Sequence, residues 1–466
     1  MRVFNTLGRR LQTLEPREEG KISMYVCGAT VQSEPHLGHG RYAVVFDVVR
    51  RYLEWQGFEV TYIRNITDVE DKIIQAARER GVDVSDLVPE MIRRWDEAYS
   101  ALGVMPPTVE PKATDHIDGM IALISDLIER DLAYQANGDV YFAVREFEPY
   151  GRLSGQSLDD LISGARVEPG EHKRDPLDFA LWKAAKPGEP QWDSPWGQGR
   201  PGWHIECSAM SLHYLGEGFD IHGGGSDLIF PHHENEIAQA EGAGSRFARY
   251  WLHNGLLSLS GEKMAKSTGV LIDLQTALHR YPAMGIRLFY LRAHYRTPLE
   301  FSEAQLEDAV AAYQRLWAFR RRVGDELSAD SDTEALERFR AAMNDDFNTP
   351  EALSVLFDVV REGNRSLDAG QDADAWAATF DEVSGVLGLE PPIGRIEDIE
   401  DQLNELADEF GIASADPETV VEGLLTRREA ARDEARFEES DELRSRLESL
   451  GIAVEDTPDG PRWHRR

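Results

Sequence analysis

Residues 21–41, KISMYVCGATVQSEPHLGHGR, constrain the fold of this chain more than any other stretch. An apolar run, 22–26, ends at Cys27 and reads as a buried strand; a polar loop then leads to His36-Leu37-Gly38-His39. Residues 42–53 (YAVVFDVVRRYL) repeat apolar side chains at helical spacing, so the two histidines stand where a strand and loop open into a helix. An open α/β sheet binds its ligands at such a connection.

The pattern repeats downstream. Residues 59–63 (EVTYI) read as a second strand, and Thr67 and Asp68 are placed to cap a helix that runs to Arg80 and stops at Gly81. Residues 86–103 read as helical, and 106–201 as an insertion of mixed pattern, rich in Pro and Gly at 187–201. From Gly202 the alternation returns: GWHIECSAM reads as a strand-like run ending at Cys207, 219–222 as a strand, and Pro231 as the opening of a helix through Glu241. Residues 249–259 read as one more strand, followed by a polar loop, 261–269. The expected fold is therefore α/β, a doubly wound (Rossmann-type) domain over 1–300. Helical patterns at 303–323, 333–344, 350–366 and 372–388 predict a bundle over 301–390. A linker at 389–395 precedes further helices between 397 and 450 and a tail with a short turn, so 395–466 forms a small C-terminal region.

Charge would argue against a nucleic-acid partner, because 84 acidic residues oppose 50 basic ones for a net charge of −34. Net charge governs solubility and leaves local patches open. Eight of the basic residues are lysines, none beyond Lys266. An acidic, lysine-poor surface suits a very salty cytosol, where screening shrinks to about 3 Å or less; an activity optimum in dilute buffer, with loss in molar salt, would refute that adaptation. No apolar run approaches the ~18 residues of a spanning helix, and residues 1–20 hold no signal core, so a cytoplasmic protein without a membrane partner is expected. Two cysteines exclude a disulfide-stapled scaffold and leave reduced thiols, one disulfide, or metal ligation.

Three constellations carry chemistry. His36-x-Gly38-His39 flanks a glycine with two imidazoles at a helix start, whose amides favour an anion. Lys263-Met264-Ala265-Lys266-Ser267 sets two ammonium groups about one turn apart in a loop. His232 and Glu236 are four residues apart on the expected helix, on one face, as two ligands of one ion should be. With Cys27 and Cys207 they offer two sulfurs, a nitrogen and an oxygen, a set that suits Zn²⁺ better than Mg²⁺ or Ca²⁺. The plain alternative, in which the histidines pack or cap, stays open at this point.

His36-Leu37-Gly38-His39 resembles the first signature of class I aminoacyl-tRNA synthetases and Lys263 to Ser267 the second, with Ala265 where a serine is usual. YVCGATV, NITDVEDKI, GWHIECSAM, FDIHGGGSDLIFPHHENEIAQ and NDDFNTPEAL at 344–353 resemble the cysteine-specific family of that class over nearly the whole chain. VQSEP before His36 departs from the family's usual tyrosine-aspartate. The resemblance implies activation of L-cysteine with ATP and Mg²⁺ to an adenylate, then transfer to the 3′ end of tRNA(Cys). It implies that one zinc per chain is held by Cys27, Cys207, His232 and Glu236 and recognises the thiolate, which separates cysteine from serine without an editing site. It further implies catalysis and ATP binding by His36, Gly38, His39, Lys263 and Lys266, with Gly225 and Asp227 toward the ATP ribose. Thr67, Trp203 and His222 would line the cysteine pocket. Arg432, Asp441 and Asp456 would contact the anticodon, and the enzyme would act as a monomer. Two other readings compete: a ligase joining cysteine to an amino sugar, which lacks the tail present here, and a zinc-containing RNA-binding paralogue without catalysis. A dinucleotide-dependent dehydrogenase is disfavoured, since no G-x-G-x-x-G follows the first strand.

Overall fold

The computed structural model describes residues 1–158, 172–259, 262–263, 273–324, 327–391, 396–413, 416–434, 436–457 and 460–465. The chain divides into two units, Met1–Leu389 and Glu390–Arg466.

The first unit opens with the antiparallel pair β1 (Arg2–Asn5) and β2 (Arg10–Thr13). In β3 (Lys21–Val26) every residue after Lys21 is buried, as a strand covered on both faces requires. Helix α1 (Leu37–Trp55) returns the chain to β4 (Glu59–Arg64), parallel to β3. Helices α2 (Asp71–Arg80) and α3 (Val84–Ala101) follow. The cap of α2 is Glu70, which accepts from the Lys72 amide. Thr67 and Asp68, the expected caps, are taken by tertiary partners instead: Thr67 donates to Glu206, and Asp68 accepts from Thr114. Gly81 ends the helix in the left-handed region, φ +67°, where a side chain would be strained.

Helix α4 (Ile117–Glu129) precedes an antiparallel sheet of β5 (Ala133–Ala136), β6 (Asp139–Phe142), β7 (Phe179–Ala184) and β8 (Gly199–Pro201), paired in sequence order. GWHIECSAM then forms helix α5 (Trp203–Leu215), so Cys207 sits on a helix and not at the end of a strand-like run. Its pattern misleads because Ile205, Glu206, Cys207, Ser208, Met210 and Ser211 are all buried, polar and apolar alike. Burial of that kind erases the 3.6-residue period.

Strand β9 (Ile221–Gly225) pairs in parallel with β3, and β10 (Tyr250–Asn254) with β9, giving the order β10–β9–β3–β4. The chain leaves β3 toward β4 on one side and returns at β9 on the other. The carboxyl ends of β3 and β9 therefore flank a topological switch point, the place where such a sheet opens a crevice. Helix α6 (Glu234–Gly242) continues directly from a π-helical turn, Ile229–His233, in which only Phe230 holds extended angles (φ −138°, ψ 132°), so helical backbone opens after Phe230, at the expected Pro231. The run 249–259 is two strands: β10 stops at Asn254, and β11 (Leu257–Leu259) belongs to another sheet with β12 (Glu262–Lys263) and β13 (Leu299–Phe301). Between them a Cβ on Gly255 would meet the Thr297 backbone at 2.5 Å, an approach only glycine permits.

Helices α7 (Leu274–Arg280) and α8 (Ala283–Leu291) lead into α9 (Glu303–Val323), α10 (Thr333–Asn344), α11 (Thr349–Asp368) and α12 (Asp374–Leu387), close to the expected limits. These helices share the core of the parallel sheet. Tyr52 and Trp55 of α1 set their rings against Phe339 of α10, at 6.2 and 5.5 Å. Arg287 of α8, fully buried, pairs with Asp47 of α1 and donates to the Leu387 carbonyl at 2.9 Å. The second unit holds α13 (Glu400–Glu409), α14 (Pro417–Asp433), α15 (Phe437–Ser449) and the hairpin β14 (Ile452–Thr457) and β15 (Gly460–Arg465), so the tail is a hairpin rather than a single turn. Leu403, Leu424, Leu443 and Ile452 belong to its own core. Among the described residues no helix is long and apolar enough to cross a membrane.

Candidate active site

Cys27 follows the last residue of β3, Cys207 lies in α5, and His232 and Glu236 lie on either side of the start of α6. The fold brings all four together: one ligand atom from each lies within 4.8 Å of every other, and all four residues are buried. Cys27 Sγ stands 3.3 Å from Glu236 Oε1, and His232 Nε2 stands 3.2 Å from the same oxygen. Burial pushes the Cys27 thiol well above its usual range, reinforced by Cys207 and Glu236, and burial raises Cys207 too. Burial likewise holds His232 well below the usual imidazole value, which keeps a lone pair available. Two sulfurs, a neutral imidazole and a carboxylate converging without a resident cation charge form a donor set for a soft or borderline dication.

The residues expected around the amino acid adjoin this cluster. His222 of β9 places Nε2 at 2.8 Å from Glu236 Oε2 and 4.0 Å from Cys27 Sγ. The ring of Trp203, first residue of α5, lies 4.2 Å from that of His232. Thr67 Oγ1 donates to Glu206 Oε2 at 3.0 Å, and Asn65 joins Thr67 (3.5 Å) to the Cys207 sulfur (3.7 Å). Four participants escaped the sequence reading: Asn65, Glu206, His233 and His253. Cys27, His222, His233 and Glu236 form a second buried quartet, and His233 Nδ1 meets His253 Nε2 at 2.7 Å. His233 stands in the His232-His233 doublet, and Asn65 and Glu206 stand inside the quoted motifs NITDVEDKI and GWHIECSAM, whose resemblance gave them no role. His253 carries no sequence signal, since its role arises from a contact between distant segments.

The first signature lies at the opening of α1. His36 is its N-cap, and Nδ1 accepts from the Gly38 amide at 3.1 Å. His39 Nδ1 accepts from the His36 amide at 3.2 Å, closing a reciprocal box. The two rings stack at 3.6 Å, and Trp95 backs His39 at 4.5 Å. The caps thus fix both imidazoles at the positive end of a 19-residue helix. The second signature starts at Lys263, whose backbone pairs with Ser258 in the β11–β12 hairpin; Lys266 lies outside the described residues. The chain re-emerges at Asp273, which bridges His36, while Leu274 donates to the Pro35 carbonyl at 3.0 Å. Backbone pairing therefore sets the exit of the second signature beside the first.

Arg41, one turn into α1, is fully buried. Its guanidinium donates to the carbonyls of Gly255 (2.7 Å), Leu256 (2.9 Å), Thr297 (2.5 Å) and His294 (3.3 Å). Burial lowers its pKa to about 10, which leaves it charged at neutral pH. It ties the helix of the first signature to the strand that enters the second.

Gly225 ends β9, and Asp227 follows in a short turn; a Cβ on Gly225 would meet Asp227 Oδ1 at 2.5 Å. In the second unit Arg432 and Asp441 are exposed on α14 and α15, and Asp456 lies in β14 opposite Pro461.

Residues 13–311 match the family model of the class I (C) tRNA synthetase catalytic domain, 338–390 the DALR domain, and 417–463 the cysteinyl-tRNA ligase anticodon-binding domain. The chain is 52% identical to a cysteine–tRNA ligase of Thioalkalivibrio sulfidiphilus, with all of both chains covered. It is 50% identical to a cysteine–tRNA ligase of Halorhodospira halophila, covering 100% of this chain and 99% of that one. Among solved structures, a Mycobacterium tuberculosis methionyl-tRNA synthetase in complex with methionyl-adenylate matches with a TM-score of 0.59 at 14% identity, over 84% of this chain and 94% of that one. At that identity the likeness concerns the fold.

Proposed function

The chain belongs to the cysteine–tRNA ligase family of class I aminoacyl-tRNA synthetases, and from that premise we propose how its own residues carry out the ligation. The observation that carries the proposal is the buried convergence of Cys27, Cys207, His232 and Glu236, with ligand atoms within 4.8 Å of one another. These residues would hold one Zn²⁺, whose chemistry when bound is that of a Lewis acid favouring a thiolate over a hydroxyl. His222, Trp203 and Thr67 shape the pocket beside it. Trp203 covers His232 and excludes water, and Thr67 is oriented by Glu206.

In the first step the cysteine carboxylate attacks the α-phosphorus of ATP and pyrophosphate leaves. No covalent enzyme nucleophile is needed, so catalysis rests on positioning and on stabilising charge that develops on phosphate oxygens. His36 and His39 supply this from the opening of α1, with the approach at Gly38 kept open by the absence of a side chain. A Cβ on Gly38 would crowd the His36 ring at 2.9 Å. Lys263 and Lys266 bind the triphosphate from the second signature, with Mg²⁺ accompanying ATP, and Gly225 and Asp227 meet the ATP ribose. The terminal ribose hydroxyl of tRNA(Cys) then attacks the cysteinyl carbonyl and AMP leaves. Arg432, Asp441 and Asp456 read the anticodon through guanidinium and carboxylate contacts to base edges. A monomer acting in the cytoplasm follows from the family resemblance alone. The match of 417–463 to an anticodon-binding domain supports transfer to tRNA over ligation to an amino sugar, and the capped histidine pair supports catalysis over a non-catalytic paralogue.

Cysteine-dependent ATP–pyrophosphate exchange, read beside metal analysis, tests the proposal. The purified chain should carry one zinc, and stripping it with a chelator should abolish exchange with cysteine, with return on adding Zn²⁺ but not Mg²⁺ alone. Full exchange in the metal-free protein would remove the metal from substrate recognition.

A further inference from the structure

Half of this chain's eight lysines gather around one cavity of about 460 Å³. The cavity lies against the β6–β7 face, with Lys173, Lys183, Lys186 and Arg200 on its walls and Trp203 and His204 beside them. The Lys72 ammonium adds a fourth lysine, 5.4 Å from the centre of the Trp203 ring. In a molecule with a net charge of −34 and so few lysines, this clustering demands a physical reason.

Internal neutralisation does not supply one. Asp71 pairs with Lys183 at 2.5 Å and with Arg200, which also reaches Glu189 at 3.4 Å. Glu70 and Asp139 also line the cavity, but Asp139 is taken up by the Tyr141 hydroxyl and the Ala184 amide. Among the described residues, neither Lys173 nor Lys186 has an ion-pair partner. Burial lowers the pKa of Lys173, with the Asp178 carboxylate opposing that shift and the Lys183 ammonium adding to it. Neither the Lys173 nor the Lys186 ammonium is thus paired directly, although Glu70, Asp71 and Asp139 share the cavity; with Lys72 the five cations around it outnumber these three carboxylates, and an incoming anion would relieve both burial and repulsion.

Position identifies the anion. Trp203 and His204 wall the cavity, and both also touch His232: the Trp203 ring at 4.2 Å and His204 Nδ1 at 2.7 Å from His232 Nδ1. The cavity is therefore one side chain away from the amino-acid pocket. A strand that delivers its terminal ribose into that pocket from the β6–β7 side would carry its preceding phosphates past this wall. Single-stranded nucleic acid is held by such a row of cations beside an aromatic face.

We propose that this cavity receives backbone phosphates of the 3′ strand of tRNA as its terminal ribose enters the amino-acid pocket. The inference rests on the reading of Trp203 as a wall of that pocket.

The test is a binding cycle with two tRNAs, one intact and one trimmed of its single-stranded 3′ end, and two proteins, wild type and Lys173→Gln/Lys186→Gln. The double variant should bind intact tRNA roughly 10-fold more weakly, with the slope of log affinity against log salt shallower by about 0.7 for each phosphate no longer neutralised. Trimmed tRNA should bind both proteins equally, because it has no phosphates to place in the cavity. Equal affinity for intact tRNA, or the same weakening on trimmed tRNA, overturns the proposal. Should the double variant not fold, Lys186→Gln alone, at an exposed position, carries the same cycle at roughly 3-fold. Failure of the pocket reading shows separately: Trp203→Ala would leave the KM for cysteine in exchange unmoved, whatever the lysine variants do.

Discussion

Replacing Cys207 with serine is expected to lower kcat/KM for cysteine activation by about 10³-fold or more, ~4 kcal/mol of transition-state stabilisation. The residue is buried within 4.8 Å of three other ligand atoms, so serine leaves a buried hydroxyl where a sulfur donor stood. Zinc content should fall with activity. Selectivity is the sharper readout. A pocket that distinguishes side chains by size alone separates near-isosteres by ~10–200-fold, whereas a site built for one chemical group rejects its analogue by ~10⁴ or more. The variant should therefore lose most of its preference for cysteine over serine. Retained preference in a zinc-free Cys207→Ser protein would show that His222, Trp203 and Thr67 discriminate without the metal.

The second large effect falls on the first signature. His39→Ala removes an imidazole placed at the opening of α1 and an acceptor for the His36 amide. Exchange should fall by ~10²–10³, the scale of losing one preorganised donor at a reacting phosphate. Stability should fall by ~1 kcal/mol through removal of the cap. The two effects can be separated. His39→Gln keeps an acceptor at the third helical position, where glutamine serves the same box, so its urea midpoint should return toward wild type while exchange stays low. The KM for cysteine should change little in either variant, since His39 stacks on His36 and Trp95 and not on the thiol-side cluster. Recovery of exchange in His39→Gln would reduce the histidine to a helix cap.

What the sequence revealed, and what it hid, follows from where each signal arises. Strand β3, helix α1 and the bundle helices were legible because each buries one face or a whole short run, and periodicity reports that directly. Cys207 was misassigned because α5 buries Glu206, Ser208 and Ser211 as well as apolar residues. Thr67 and Asp68 looked like caps because their chemistry suits that role. Glu206 and Thr114, distant in sequence, claim them first. The site itself draws on segments up to 209 residues apart, as between Cys27 and Glu236. No local period can announce such a meeting, and family motifs, not spacing, pointed to it. Helices α7 and α8, which close the gap between the second signature and β13, left no reading at all. In α8 every residue from Met284 to Leu291 is buried, so no period survives, and α7, seven residues long with only Leu274 and Ala277 buried, is too short to show one.

Arg41 shows how tolerance to change is distributed in this molecule. Its guanidinium holds two loops by their carbonyls, and a carbonyl is a group every residue supplies. Positions 256, 294 and 297 can therefore drift in side chain without loosening the grip on the signature helix. The opposite position cannot: lysine has no planar fork to span separate segments, and an apolar residue would withdraw the guanidinium from all four carbonyls at once, leaving those of Gly255, Leu256 and His294 only their single other donors. Gly255 is the exception among the loop positions, since a Cβ there meets Thr297 at 2.5 Å. Genetic variation across this contact should thus be one-sided, free along the loops and narrow at a single arginine and a single glycine.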